Sequence, residues 1–328
     1  MIIVTGGTGF IGSNILAGLE KAGYKDLVVV DYMSSDERWQ NIAKRELSHI
    51  VLPEQMSDFL EKHKSEIDAI IHMGAISTTT ETDVDLIVKT NQQLTWELWD
   101  FCRNNNVRFI YASSAATYGD GANGFDDRDD LEYLNNLRPL NAYGWSKAFF
   151  DRKVAREIAE QRPTPPQHVG LKFFNVYGPN EYHKGGQKSV IAHIFPIVKA
   201  NEEVKLFKSY NPDYKDGEQL RDFVWVGDIV DVILWMLEHK DVSGLFNVGC
   251  GTARSFYDLA RATWDAMGMP AKIGFKDMPE QLRGKYQYYT CANLDKLRSV
   301  GYTKPMTSLE DGIREYVQKH LNNEDMYL

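Results

Sequence analysis

Cysteine is scarce in this chain of 328 residues: Cys102, Cys250 and Cys291 are an odd, widely spaced set with no Cys-x-x-Cys pair. That spacing offers no disulfide framework, and we read all three as reduced thiols. Long apolar runs are missing too, since no window approaches the roughly 20 apolar residues needed to cross a bilayer. The chain opens directly on Met1-Ile-Ile-Val-Thr5 with no charged n-region, so a soluble, cytoplasmic protein is expected, with no membrane partner. Neither Lys nor Arg forms a long run, and 37 basic against 46 acidic residues leave a formal net charge of -9. This argues against a general binder of nucleic acid or anionic membranes. There is no internal repeat or low-complexity tract. His183 and His193 lack an acidic partner at a recognisable ligand spacing, so no metal site is expected.

What the chain does have is a hydrophobic fraction of 43%, ample for a buried core, and a length that exceeds the usual single domain. Two lobes, or one large α/β domain with an elaborated second region, follow. The stretch Asn141-Ala-Tyr-Gly-Trp-Ser-Lys147 can form a helix, which would put Tyr143 and Lys147 on one face. A phenol is a poor base at neutral pH, and an ammonium beside it favours the phenolate. Such a pair can move a proton on and off an alcohol. A serine hydrolase is excluded because Gly144-Trp-Ser-Lys-Ala148 lacks the closing glycine of a nucleophile elbow and lies in a predicted helix.

The first strand, Ile2 to Thr5, runs into Gly6-Gly-Thr-Gly9-Phe-Ile-Gly12, after which Ile15, Leu16 and Leu19 give a helical pattern. Gly6, Gly9 and Gly12 let the backbone turn tightly and let a pyrophosphate reach the positive end of the helix. A second buried strand, Leu27 to Val30, ends in Asp31, placed to accept from a ribose hydroxyl. Asp31 favours a free 2′-hydroxyl, whereas Arg38 can either meet a 2′-phosphate or be an ordinary exposed arginine. Asp68 to Ala75 reads as a strand running into small residues at Met73, Gly74 and Ala75, where a cofactor can lie close to the backbone. Ser77 to Thr80 form a hydroxyl-rich loop beyond it. His72 reads as an interior histidine. Asp83 to Asn105 reads as a long helix whose Asn91 either supports the site or faces solvent. The strand Val107 to Ser114 delivers Ser114 to the same edge, where its hydroxyl can bond the substrate oxygen that Tyr143 would protonate. Asp120 to Arg138 is acidic and irregular and reads as a surface excursion.

Three stretches together, Gly6 to Gly12, Tyr111-Ala-Ser-Ser-Ala-Ala-Thr-Tyr-Gly119 and Asn141 to Lys147, resemble the extended short-chain dehydrogenase/reductase superfamily. Within it, Phe173-Phe-Asn-Val-Tyr-Gly-Pro179, His183-Lys-Gly185, Arg221-Asp-Phe223 and Gly284-Lys-Tyr-Gln287 resemble the ADP-glycero-manno-heptose 6-epimerases. The resemblance runs to about residue 320. It implies a Rossmann-like doubly wound parallel sheet with a smaller C-terminal α/β substrate lobe. Residues 1–174 and 225–251 would form the NAD(P)-binding domain, and residues 175–224 and 252–328 the substrate lobe. It also implies NADP as retained cofactor, with NAD open, an ADP-heptose substrate, and a homo-oligomer for which a homopentamer is one form. Other nucleotide-sugar epimerases, dehydratases and reductases of the superfamily are the nearer alternatives, and a non-enzymatic dinucleotide sensor the remoter one.

By the same resemblance, Lys184 is a second acid/base beside Tyr143, Lys147 orients the nicotinamide ribose, and Phe10, Ile11, Tyr32, Ile76, Val176 and Lys184 touch the cofactor. Asn175, Gly186, His193, Phe207, Lys208, Ser209, Tyr210, Arg221 and Tyr286 would line the substrate site with Ser114. Two departures stand out: Gly186 occupies a place where the family commonly has serine, and Asn211 to Gln219 is longer than the usual connection before Arg221.

Overall fold

The computed structural model describes residues 1–283 and 286–328; Gly284 and Lys285, half of the Gly284 to Gln287 stretch, lie outside the described residues. The strands are β1 (Ile2–Thr5), β2 (Leu27–Val30), β3 (His49–Val51), β4 (Ala69–His72), β5 (Arg108–Ser114), β6 (His168–Phe173), β7 (Asn175–Tyr177), β8 (Val204–Phe207), β9 (Leu220–Trp225), β10 (Gly244–Val248), β11 (Ala253–Ser255) and β12 (Ile273–Lys276). The helices are α1 (Phe10–Lys21), α2 (Met56–His63), α3 (Val84–Ile87), α4 (Leu94–Asn105), α5 (Leu131–Asn136), α6 (Ala142–Ala159), α7 (Val190–Lys199), α8 (Val226–Glu238), α9 (Phe256–Ala266), α10 (Glu280–Arg283), α11 (Asp295–Ser299) and α12 (Leu309–Tyr316).

Seven strands form one parallel sheet in the order β10-β6-β5-β4-β1-β2-β3. Successive side chains on a strand point to opposite faces, and the core divides accordingly. Ile2, Val4, Val29, Ile71 and Ile110 pack with α1 and α8, while Ile3, Val28, Ile70, Phe109 and Tyr111 pack with α2, α4 and α6. Both faces are therefore covered, which is why these strands read as continuous apolar runs instead of alternating ones. Strand order reverses between β1 and β4. The crevice at their C-terminal ends is where a doubly wound sheet binds its ligand.

A smaller region carries the sheet β11-β9-β7 and the parallel pair β12-β8. Its own core gathers Tyr177, Ile191, Leu206, Leu259, Trp264 and Tyr316. The two regions are joined at Asp222 on β9, whose buried carboxylate accepts from the backbone N–H groups of Cys250 (2.6 Å), Gly251 (2.9 Å) and Ala292 (2.9 Å). The edge of the large sheet and the strand carrying Arg221 are thereby held together.

The segment from Asp120 to Arg138 differs from the sequence expectation. It contains α5, and Tyr133, Leu134 and Leu137 are buried in the main core. Its apolar residues are few but they are the ones that face inward, and Asp127 accepts from Asn247 N at 2.8 Å on β10. The long helix expected from Asp83 to Asn105 is present as α3 and α4 joined by a π-helical turn, Val88–Gln93. Among the described residues, no helix is long and apolar enough to cross a membrane, and no cluster of His, Cys, Asp or Glu could hold a metal ion.

Candidate active site

The glycine turn is dictated by contact. Gly6 has φ +67, and a Cβ there would lie 2.6 Å from Gly74 N; a Cβ on Gly12 would lie 2.2 Å from Gly6 O. Gly9 is the N-cap of α1 and supplies no side-chain cap. The first-turn N–H groups, those of Phe10 and Ile11 among them, thus have no side-chain acceptor, which suits a pyrophosphate. Asp31 Oδ2 accepts from Thr8 N (3.0 Å) and Thr8 Oγ1 (2.6 Å), and Oδ1 from Tyr32 N (2.8 Å). A carboxylate has about four lone-pair sites, so Asp31 retains capacity for a ribose hydroxyl. These residues fit a dinucleotide. Arg38 is neither loose nor fully exposed: Nε donates to Asp36 Oδ1 at 2.9 Å and Nη2 to Asp36 Oδ2 at 2.7 Å. Tyr32 is half exposed and its hydroxyl donates to Glu54 at 2.8 Å.

Across the crevice, Met73, Gly74, Ala75 and Ile76 are partly buried after β4, and Ser77 is exposed. Asn91 is buried in the π-helical turn and supports the site. Its Oδ1 accepts from Ile76 N (2.9 Å), and its Nδ2 donates to Ile76 O (2.9 Å) and Ser146 Oγ (3.0 Å). Ser146 Oγ in turn donates to Tyr143 O at 2.7 Å, so one amide ties the loop after β4 to α6. His72 is an interior histidine, bonded to Thr5 Oγ1 (2.6 Å) and Thr95 Oγ1 (2.9 Å), and burial depresses it to about 3.

Helix α6 starts at Asn141, whose side chain accepts from Gly144 N at 2.8 Å. Gly144 lets the helix press on the 3₁₀ turn Ala115–Tyr118, because a Cβ would lie 2.6 Å from Ala116 O. That approach brings the start of α6, and Tyr143 with it, onto the turn that follows Ser114, whose Oγ accepts from Ala116 N at 3.1 Å. The expected effect of Lys147 on Tyr143 is not what the structure shows. Burial raises the Tyr143 phenol, the nearby Ser114 hydroxyl lowers it and the Asp151 charge raises it further. Lys147 Nζ instead donates to Ala112 O at 2.8 Å. Burial pulls that ammonium down to about 8, opposed by Asp151.

Lys184 lies in the 3₁₀ loop Tyr182–Gln187, its Nζ 5.3 Å from the centre of the Phe10 ring at the head of α1. Burial lowers its pKa and the Glu181 charge opposes the shift. Gln187 Oε1 accepts from Thr78 Oγ1 at 3.2 Å, closing this loop onto the one after β4. On the substrate side, Arg221 is buried, with its guanidinium 5.1 Å from the centre of the Tyr286 ring and 5.7 Å from that of Phe256. Lys208 pairs with Asp277 at 3.1 Å, and Tyr210 OH donates to the same carboxylate at 3.3 Å. Phe207, Ser209 and Val176 are partly buried, whereas Asn175, Gly186 and His193 are exposed. His193 Nε2 lies 3.3 Å from Gly186 O. The long segment before Arg221 folds back on β8: Asp216 accepts from Ser209 N (2.8 Å), and Gln219 Nε2 donates to Phe207 O and Lys208 O at 3.3 Å each.

Residues 2–249 match the NAD dependent epimerase/dehydratase family. The chain belongs to that family. It is 48% identical to the ADP-L-glycero-D-manno-heptose-6-epimerase of Fusobacterium nucleatum and 46% identical to that of Nitratidesulfovibrio vulgaris, with all of each chain covered. The crystal structure of the Helicobacter pylori ADP-L-glycero-D-manno-heptose-6-epimerase superposes with a TM-score of 0.78 at 28% identity, covering 97% of this chain and 95% of that one.

Several residues that shape the site of this epimerase-family member carry no motif. Asn180, left-handed at φ 72, donates to Ser13 Oγ (3.0 Å) and accepts from Leu328 N (3.0 Å). Asn41 donates to Thr8 O (2.8 Å) and Asn180 O (3.1 Å), linking the glycine turn to the lysine loop. Asp151 and Lys172 form a fully buried ion pair behind Tyr143 and Lys147. Only the eight-residue interval from Tyr143 to Asp151, two helical turns, hints at that pair in the sequence.

Proposed function

We propose that this protein is an isomerase interconverting ADP-D-glycero-β-D-manno-heptose and ADP-L-glycero-β-D-manno-heptose by oxidation and re-reduction at C6. The carrying observation is full-length similarity to the heptose epimerases over a site that holds Ser114, Tyr143 and Lys147 and adds a second partly buried amine, Lys184, above the head of α1. The product would supply heptose for the core of lipopolysaccharide.

A nicotinamide dinucleotide bound at the glycine turn supplies the hydride acceptor and, in the second half, the hydride donor. We take NADP as that cofactor, with Arg38, whose guanidinium is bonded to Asp36, as the group that would meet a 2′-phosphate. The rest belongs to the chain. C6 bears a hydroxyl but no acidic proton, so its inversion passes through a ketone. Tyr143 takes or returns the hydroxyl proton in one presentation of the sugar, with Ser114 bonded to the same oxygen. After the ketone turns, its oxygen no longer faces Tyr143, and Lys184 serves the other presentation. Lys147 orients the ribose. Arg221 pairs with the substrate pyrophosphate while Tyr286 packs on a ring.

The test is incubation of the purified protein with ADP-D-glycero-D-manno-heptose in heavy water, following C6 by NMR. Inversion without deuterium at C6 is expected from direct hydride return. No inversion, with NADP or NAD supplied, overturns the substrate assignment.

A further inference from the structure

Tyr143, Lys147 and Asp151 are spaced four residues apart on α6, so they form one stripe along the helix face turned to the sheet. Lys147 is 4% exposed and Asp151 2%. Two members of the stripe are bonded to the end of β5: Lys147 Nζ donates to Ala112 O (2.8 Å), and Asp151 Oδ2 accepts from Ser113 Oγ (2.7 Å). Asp151 Oδ2 also accepts from Lys172 Nζ at 2.7 Å, and Lys172 sits opposite Ser113 on β6. Lys172 Nζ donates in addition to Thr117 Oγ1 (2.7 Å), which donates to Ser114 O (2.8 Å). The pair therefore reaches Ser114 from behind by a second route. Asp151 Oδ1 has no hydrogen-bond partner. A buried carboxylate with one oxygen unsatisfied is costly, and a pair of this kind is weak evidence for stability as such. Its place two helical turns from the phenol gives it another use.

We propose that Asp151, with Lys172 as its buried partner, is the positioning residue of the Tyr143–Lys147 pair: it locks α6 in register on β5 and sets a carboxylate one helical turn from the Lys147 ammonium. This rests on the reading of Tyr143 and Lys147 as the proton-handling pair. The ionisable groups on α6, on the inner ends of the neighbouring strands and in the turn after β5 are Tyr143 and Asp151 on α6, His72 on β4, Tyr111 on β5, Tyr118 in that turn and Lys172 on β6. His72 stays neutral, and burial holds Tyr111 and Tyr118 protonated. Asp151 and Lys172 are left as the charged pair, and of the two it is the Asp151 charge that opposes the burial pulling the Lys147 ammonium toward its neutral form.

The sign of the test follows. Removing the Asp151 charge removes what favours the ammonium, so Lys147 loses its proton at lower pH. The same change removes an influence that raises Tyr143, so both limbs of the pH–rate profile move to lower pH. The first readout needs no turnover: NMR titration of the Lys147 ε-carbon in protein labelled with 13C-lysine, its signal assigned with Lys147→Arg. In Asp151→Asn the Lys147 midpoint is expected below that of the native protein, and in Lys172→Arg, which keeps both charges, it is expected unchanged. Because Asp151→Asn leaves Lys172 unpaired and can cost the fold, the double variant Asp151→Asn/Lys172→Met is measured beside it. That variant removes the carboxylate and its partner ammonium together, and a downward shift smaller than that of Asp151→Asn is expected, because loss of the Lys172 cation partly offsets loss of the anion. A Lys147 midpoint unchanged in Asp151→Asn, or raised in the double variant, overturns the proposal. Since that titration involves no sugar, a wrong substrate would not mimic the failure.

Discussion

Lys147 and Lys184 are each pulled toward the neutral form by burial, and each is opposed by one buried carboxylate, Asp151 or Glu181. They are held in different ways. Lys147 is fixed by regular structure: a helix, a strand end and a backbone carbonyl at 2.8 Å. Lys184 sits in a short loop containing Gly185 at φ 53 and the exposed Gly186. Side chains anchor that loop from its flank, since Glu181 accepts from Ser189 N (2.5 Å), Ser189 Oγ (2.6 Å) and Tyr316 OH (2.9 Å). One amine is set once, when the sheet forms. The other is set by a handful of separable contacts, which suits a group that must meet a sugar after it has turned.

The largest effect should come from removing each base. Tyr143→Phe and Lys184→Met are both expected to slow overall epimerisation by about 10²–10⁴-fold, the usual worth of a positioned acid or base. They should differ in the half-reaction they spare. Stopped-flow absorbance of the reduced nicotinamide, started from each heptose epimer in turn, should show one variant blocked from the D-glycero isomer and the other from the L-glycero isomer. Blockage from the same isomer in both variants would break the division of labour.

A smaller and more diagnostic effect lies in pH. The Glu181 charge favours the Lys184 ammonium, so Glu181→Gln leaves the free amine present to lower pH. The acid limb of the half-reaction in which Lys184 takes the proton should move down, while the Tyr143 half-reaction keeps its profile. The lost hydrogen bonds to a charged group should also cost about tenfold in the Lys184 half-reaction. An equal shift in both half-reactions would show that the two sides are not separately held.

The same contrast explains what could be read from the sequence. The sheet was legible because β1, β2, β4 and β5 are apolar runs punctuated by Gly6, Asp31, Gly74 and Ser114, and Tyr143 and Lys147 because helical spacing is a local property. Burial of Tyr133, Leu134 and Leu137 was not legible, since three apolar residues in an acidic stretch give no period. Nor was the Asp151–Lys172 pair, whose members lie on different elements and meet only through the sheet. The Lys184 loop has no periodicity at all, and its place above Phe10 depends on Asn41, Asn180 and residues 326–328, contacts made across more than a hundred positions. Resemblance pointed to that lysine where local physics could not.

The smallest expected effect tests whether that distant anchorage matters to catalysis. Tyr182 OH donates to Met326 O at 2.8 Å, and the Tyr182 ring stands edge-on to Tyr327 with centroids 5.3 Å apart. Tyr182→Phe keeps the ring contact and removes only the hydrogen bond. A single neutral hydrogen bond contributes about 1 kcal/mol net, which as a barrier change is about fivefold. If these contacts place Lys184, the loss should fall on kcat of the Lys184 half-reaction and leave the Tyr143 half-reaction nearly unmoved. An equal loss in both half-reactions would mean that the contact secures the fold as a whole, and the loop would then owe its position to Glu181 and Asn180 alone.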